Sequence, residues 1–75
     1  MPNSIPLSHI IKVLKKNGFV LVSQTGSHAK YRKTGNPTLN TIIPIHGSEV
    51  AYGTFRSILR QTKLGKNEFD KRKNK

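Results

Sequence analysis

The stretch Gly26–Lys33, with the sequence GSHAKYRK, constrains this chain more than any other, because a tight turn leads directly into a strand of alternating character. Glycine and serine are typical turn residues, and the six residues after them have the composition of a strand. Because successive side chains of a strand point to opposite faces, His28, Lys30 and Arg32 are predicted to share one face. The two residues between them would face a core. A titratable ring would thus stand in line with two positive charges.

The residues before this turn predict an amphipathic helix over residues 8–17 and a first strand over 19–24. Ser8 is a favourable N-cap residue, and Gly18 can adopt the left-handed conformation that ends helices. Residues 1–7, which include two prolines, are predicted to form an extended lead-in. Apolar side chains recur at the i, i+3, i+4, i+7 spacing of one helix face, at Leu7, Ile10, Ile11 and Leu14.

The residues after the turn predict a third strand over 39–45 and a second helix that begins at residue 51 or 54 and ends at 62. Pro44 has no N–H to donate, so the third strand should lie at a sheet edge or end there. Gly53 and Thr54 are predicted to start the helix. Residues 66–70 could add one more turn, with Phe69 packing back on the core.

These elements predict one α+β domain over residues 1–75 with the order α-β-β-β-α. Short connections favour a three-stranded antiparallel sheet with both helices packed on one face, as in double-stranded-RNA-binding domains. Residues 71–75 carry four positive charges and no apolar side chain, which predicts a frayed basic tail.

The net charge is the strongest compositional feature. Fourteen Lys and Arg against three acids give +11, and residues 1–48 contain no acid. Such a surface attracts polyanions, so nucleic acid is the first expected partner, and an acidic protein remains a second possibility. The longest apolar run, residues 19–22, is too short to cross a membrane, and the sequence has no cysteine. The first residues lack the basic start and long apolar run typical of a signal peptide, so none is expected. A cytoplasmic protein without a membrane partner is expected.

The scarcity of acids also narrows the possible enzyme chemistry. Paired carboxylates are missing from the first two thirds of the chain, which disfavours acid–base chemistry by two carboxyl groups. Neither a Gly-rich phosphate loop nor a metal-ligand spacing is present, so neither a metal nor a cofactor is expected. RNA cleavage remains possible because the 2′-hydroxyl of the substrate is itself the nucleophile. His28 could accept its proton while Lys30 and Arg32 stabilise charge on the phosphate. On residue type alone, a histidine beside cations is more often a phosphate contact.

The other histidines and the second tyrosine allow weaker interpretations. His46 follows the third strand and could neighbour His28 across the sheet, although an ordinary surface position is the simpler account. Tyr52 lies outside the helical stripe and could be core or surface. His9 is expected to be solvated. His46 and Tyr52 are secondary candidates for the group that protonates the leaving oxygen.

Four blocks of the sequence resemble the HicA toxin family in order and spacing. They are LKKNGF at 14–19, QTGSH at 24–28, IPIH at 43–46 and GTFRSILRQ at 53–61. The resemblance implies a double-stranded-RNA-binding-like fold, a ribosome-independent toxin that cleaves mRNA, and a HicB antitoxin that blocks its active site. It also implies that the histidine of the Gly-Ser-His motif, here His28, is catalytic.

The combined expectation is a toxin that cleaves mRNA without a metal, with His28 as general base and mRNA and a HicB-type antitoxin as partners. The alternative is a non-catalytic RNA-binding module of the same fold. A DNA-binding protein is less favoured, because no predicted helix has the polar face used to contact bases in the major groove. The expected RNA-binding residues are Gly26 and Ser27, which shape the turn, together with Lys30, Arg32 and Lys33.

Overall fold

The computed structural model describes residues 4–69, which form two α-helices, five strands and a final 3-10 helix. The predicted tail at 71–75 and the first three residues of the predicted lead-in lie outside the described residues. The elements in chain order are β1 (Ser4–Pro6), α1 (Leu7–Lys16), β2 (Val20–Thr25), β3 (His28–Lys33), β4 (Leu39–Pro44), β5 (Glu49–Ala51), α2 (Tyr52–Thr62) and the 3-10 helix (Lys66–Phe69).

Strands β2, β3 and β4 form the predicted three-stranded antiparallel sheet, in that spatial order. The helices pack against one face of it, so the α+β prediction is confirmed. Strand β3 has the predicted bounds, whereas β2 and β4 differ from the prediction by one residue at their ends. Strand β4 is an edge strand and ends at Pro44, as the missing N–H requires.

The core lies between this sheet and the two helices. Its largest fully buried apolar side chains come from both layers: Phe19, Phe55, Ile10, Leu14, Ile43 and Ile58. Burying one such side chain contributes roughly 1.5–3 kcal/mol, so these contacts hold the layers together. Tyr31 is 5% exposed and belongs to the core, as predicted. The buried hydroxyl of Thr41 donates a hydrogen bond to Gln61 Oε1 at 2.6 Å, which ties β4 to α2.

A second, two-stranded sheet was not predicted. Strand β1 pairs antiparallel with β5, with Ile5 opposite Val50, and the Leu7 N–H donates to the Ser48 carbonyl at 2.9 Å. Residues 4–6 of the predicted extended lead-in are therefore a paired strand, and Leu7 is already the first residue of α1. A strand of three residues is too short to show periodicity, and its partner is about 45 residues away, so only tertiary contact defines it.

This small sheet also determines where both helices begin. Helix α1 follows β1 directly and α2 follows β5 directly, and neither helix start has a side-chain cap. The predicted N-cap Ser8 instead lies inside α1 and is exposed. Helix α2 begins at Tyr52, one residue after the earlier of its two predicted starts, so the predicted start signal Gly53–Thr54 lies inside the helix. Because the preceding strands fix the chain direction, the helices start without a capping side chain. Helix α2 ends at Thr62, and the residue that caps its C-terminus, Lys63, has a left-handed φ of 63°.

His9 is partly buried, so the prediction that it is solvated was wrong. Its Nε2 lies 2.6 Å from the Phe69 carbonyl oxygen, which can only accept, so Nε2 carries the proton. The His9 ring also meets the Phe69 ring edge-on at a centroid distance of 6.5 Å. The extra turn with Phe69 packed inward is confirmed, and its buried ring gives His9 a partner that sequence spacing alone does not indicate.

We predict that His9→Ala lowers the free energy of unfolding by about 1–2 kcal/mol, because it removes one hydrogen bond and one ring contact. The neighbouring Ser8→Ala should change it by less than about 0.5 kcal/mol, whereas loss of a true N-cap would cost about 1 kcal/mol. Urea unfolding followed by circular dichroism measures both. A larger loss from Ser8→Ala than from His9→Ala would contradict this description of the helix start.

Candidate nucleic-acid interface

The exposed face of the sheet carries a line of cationic and titratable side chains on its central strand. His28 is exposed, Lys30 and Arg32 are partly exposed, and the intervening Ala29 and Tyr31 are buried. The predicted alternation is therefore present, and we call His28, Lys30 and Arg32 the cationic row. Since the helices cover the opposite face, the row lies on the side of the sheet that is open to a ligand.

The side chains that flank the cationic row carry no charge. Because directly opposed residues of antiparallel strands share a face, the register identifies these neighbours. They are Thr25, Ser23 and Val20 on β2, and Pro44, Ile42 and Asn40 on β4. The positive charge of this face is thus confined to the central strand, in a line that an extended polyanion could follow.

The turn before β3 fixes the position of His28. Thr25 pairs with His28, so the hairpin loop has two residues. Gly26 has a φ of 59°, and Ser27 is not among the residues with positive φ, which is the pattern of a type II′ hairpin turn with glycine first. The Ile45 N–H donates to the Ser27 carbonyl at 2.7 Å, which fastens the turn to the chain leaving β4. The histidine therefore projects from backbone that is held on both sides.

Asn40 is a residue of the site that sequence analysis missed. It lies opposite Arg32, and its Oδ1 accepts a hydrogen bond from Arg32 Nε at 2.8 Å. This bond orients the guanidinium, whose terminal nitrogens can then donate to a phosphate. The sequence gives no indication of it, because the pairing depends on the register of two strands.

Lys33 lies apart from the cationic row. It is exposed, but it pairs with Leu39 at the end of β3, and strand alternation places it on the face opposite Arg32. Its aliphatic chain runs beside Gly18, where an added Cβ would lie 3.5 Å from Lys33 Cε. The structure thus brings His28, Lys30 and Arg32 together and leaves Lys33 outside the row.

The two secondary candidates occupy different parts of the molecule. His46 is exposed and directly follows Ile45, the residue bonded to the turn that precedes His28. Tyr52 begins α2 in the helical layer, where its ring contacts Phe55 at a centroid distance of 6.0 Å. A hydrogen bond from Lys66 Nζ at 2.8 Å lowers the pKa of Tyr52. Of the two, only His46 continues the strand that pairs with His28.

Neither Glu49 nor Glu68, the two acids among residues 4–69, belongs to the β2–β3–β4 sheet. Glu49 lies in the β1–β5 ladder, where its Oε1 accepts a hydrogen bond from Ser4 at 2.8 Å. Within residues 4–69, no three His, Asp or Glu side chains lie close enough together to hold a metal ion. In the same range, neither helix has the length and apolar character needed to span a membrane.

Comparison with known proteins identifies the family. The model of the HicA toxin of bacterial toxin–antitoxin systems matches residues 8–64 of the 75-residue chain. No curated protein matches the sequence. The matched segment runs from the first turn of α1 to just beyond α2, and it includes all three strands of the larger sheet. The chain therefore belongs to the HicA family, and it is the toxin component of a toxin–antitoxin system.

Proposed function

We propose that this toxin is an endoribonuclease that cleaves mRNA, with His28 as the general base and without a metal ion. The observation that carries the proposal is the cationic row, an exposed imidazole aligned with Lys30 and Arg32 on the open face of the sheet. An imidazole is the side chain whose ordinary pKa lies nearest neutrality, and flanking cations match the charge of the RNA backbone.

The proposed reaction needs three things: a proton acceptor, positive charge at the phosphate, and a proton donor for the leaving oxygen. His28 accepts the proton of a ribose 2′-hydroxyl, and the 2′-oxygen attacks the adjacent phosphorus. The bond between phosphorus and the 5′-oxygen breaks, which leaves a cyclic phosphate on one fragment and a hydroxyl on the other. A general base contributes typically 10²–10⁴-fold to such a step.

Lys30 and Arg32 bind the phosphate and stabilise the charge that develops during attack. Arg32 suits this role because Asn40 already holds its Nε, so its donors are oriented before the substrate binds. Lys30 lies between Arg32 and His28 on the same face. A phosphate bound by both cations would lie on the same face of the sheet as the imidazole.

The leaving 5′-oxygen must gain a proton, and His46 is the better candidate donor. The chain segment that carries it is bonded to the turn at Ser27, whereas Tyr52 is held by Lys66 in the helical layer. His28 and His46 would then act as base and acid on either side of the phosphate. We therefore assign Tyr52 no step in the reaction.

The proposed partners are mRNA and a HicB-type antitoxin. Family membership implies an antitoxin, and a net charge of +11 favours an acidic protein in that role as well as RNA. The same cationic row would also suit a non-catalytic RNA-binding module, with His28 as one phosphate contact. Cleavage by the purified protein distinguishes these two functions.

We predict that His28→Ala lowers RNA cleavage at least about 100-fold, because the proton acceptor is lost. Labelled mRNA incubated with a chelator measures cleavage, and the wild type should remain active there. RNA binding and antitoxin binding should survive, since Lys30 and Arg32 remain. His46→Ala, measured in parallel, should reduce cleavage less. Cleavage by His28→Ala at the wild-type rate, or no cleavage by the wild type, would reject the catalytic role.

We predict that Arg32→Gln and Lys30→Gln each weaken RNA binding and reduce its salt dependence. Each lost phosphate contact should lower the slope of log K against log salt by about 0.7–0.9. Lys12→Gln, which removes the same charge from the exposed side of α1, is the matched control and should leave the slope nearly unchanged. If the salt-dependence slopes of the Arg32→Gln and Lys30→Gln variants equal that of the Lys12→Gln control, RNA responds to the net charge of the protein and not to the cationic row.

We predict that Gly26→Ala reduces cleavage and destabilises the protein by about 1–2 kcal/mol, because alanine disfavours a φ of 59°. An added Cβ meets no atom within 4 Å at either Gly26 or Gly53, so Gly53→Ala is a matched control without the left-handed backbone. That helical substitution should be neutral or stabilising. If both variants behave alike in unfolding and cleavage, the turn does not position His28.

A further inference from the structure

Strand β2 is an edge strand whose surface is exposed along its whole length. All six residues from Val20 to Thr25 are exposed, and β2 lies at one end of the order β2-β3-β4. Three consecutive residues of β2 are large apolar side chains that are exposed: Val20 at 58%, Leu21 at 49% and Val22 at 40%. In a chain with a net charge of +11, this strand has no charged residue.

Proteins normally protect such an edge against pairing with another strand. Lysine, proline or a covering element are the common means, together with bulges. The register shift between Leu21 and Ser23 gives β2 a bulge, but neither lysine nor proline accompanies it. The opposite edge differs, since β4 ends in Pro44 and packs against α2. The β2 edge is thus open and apolar, which fits the addition of a strand from a partner.

We propose that the β2 edge binds an extended segment of an acidic protein partner, which pairs with it as a fourth strand of the sheet. Main-chain hydrogen bonds would supply affinity, and the exposed side chains of residues 20–22 would contact apolar residues of the segment. The partner is the antitoxin that family membership implies. This inference concerns the protein partner, so it does not depend on RNA cleavage.

Charge favours this occupant over a second copy of the chain. A second copy would bring the same +11 to the interface, whereas an acidic partner would be attracted. Neighbouring strands of a sheet lie about 4.8 Å apart. A strand added outside β2 would therefore lie at about twice that distance from β3. Acidic side chains on that strand could lean across Ser23 towards Lys30, which lies opposite it on the same face.

RNA is a poorer match to this edge. Lys and Arg supply most of the affinity for a phosphate backbone, and β2 offers neither, although Ser23, Gln24 and Thr25 are polar. Its apolar side chains and its outer row of peptide groups instead match another polypeptide strand. The cationic row and the β2 edge therefore divide one sheet into a surface for RNA and a surface for protein.

The test compares two substitutions that each add one lysine to an exposed apolar position of the sheet. Val22→Lys changes the β2 edge, and Ile42→Lys changes β4, where the side chain is 44% exposed. Both variants add attraction for an acidic partner, so a loss of affinity cannot come from net charge. The probe is the purified antitoxin, titrated by calorimetry against the wild-type toxin and both variants. Urea unfolding checks that each variant is folded.

We expect Val22→Lys to raise the Kd for the antitoxin about tenfold or more, because an edge lysine blocks strand addition. Ile42→Lys should stay within about twofold of the wild type, because β4 lies at the other edge of the sheet and does not contact a strand added to β2. Hydrogen exchange should show the amides of residues 20–25 protected by the antitoxin. Wild-type affinity in Val22→Lys, or equal losses in both variants, would overturn the proposal.

Two further outcomes would identify a different occupant and also overturn the proposal. In the first, the wild-type toxin is a dimer in the absence of antitoxin and the Val22→Lys variant is a monomer, which would assign the edge to a second copy of the chain. In the second, RNA protects the β2 amides from hydrogen exchange in the absence of antitoxin, which would assign the edge to RNA. Since none of these measurements uses cleavage, failure here leaves the role of His28 to be decided by the His28→Ala experiment.

Discussion

The site depends on the burial of one face of β3 beneath the helices. Ala29 and Tyr31 are held in the core at 2% and 5% exposure, so the alternating side chains must point outward. A shift of the register by one residue would bury two cations and expose the tyrosine, at a large cost in desolvation. The same apolar contacts that stabilise the fold therefore orient the imidazole and its two cations.

On the exposed face of the β2–β3–β4 sheet, the Arg32 guanidinium is held in one orientation and acidic side chains are scarce. Arg32 is held by Asn40, and Glu49 is engaged in the other sheet, away from β3. A polyanion approaching the row therefore meets cations whose cross-strand neighbours are all uncharged. This arrangement favours binding along the strand direction, and the type II′ turn places His28 at one end of that line.

The two edges of the sheet have different environments. Strand β4 is joined to α2 through the hydrogen bond between Thr41 and Gln61 and ends at a proline, whereas β2 has exposed apolar side chains throughout its first half. An antitoxin bound at the β2 edge would lie beside the cationic row without replacing the core contacts of either helix. Inhibition and substrate binding could thus use adjoining parts of one rigid sheet.

Local sequence patterns were sufficient to predict the helix-sheet-helix order, the bounds of β3 and the shared face of His28, Lys30 and Arg32. Those features follow from local periodicity and turn chemistry, which need no distant partner. By contrast, four features depend on tertiary contacts: the β1–β5 sheet, the helix starts that follow it, the hydrogen bond from His9 to Phe69, and the contact of Asn40 with Arg32. Each of these pairs residues that are separated in the chain, and local patterns do not specify which distant groups will meet.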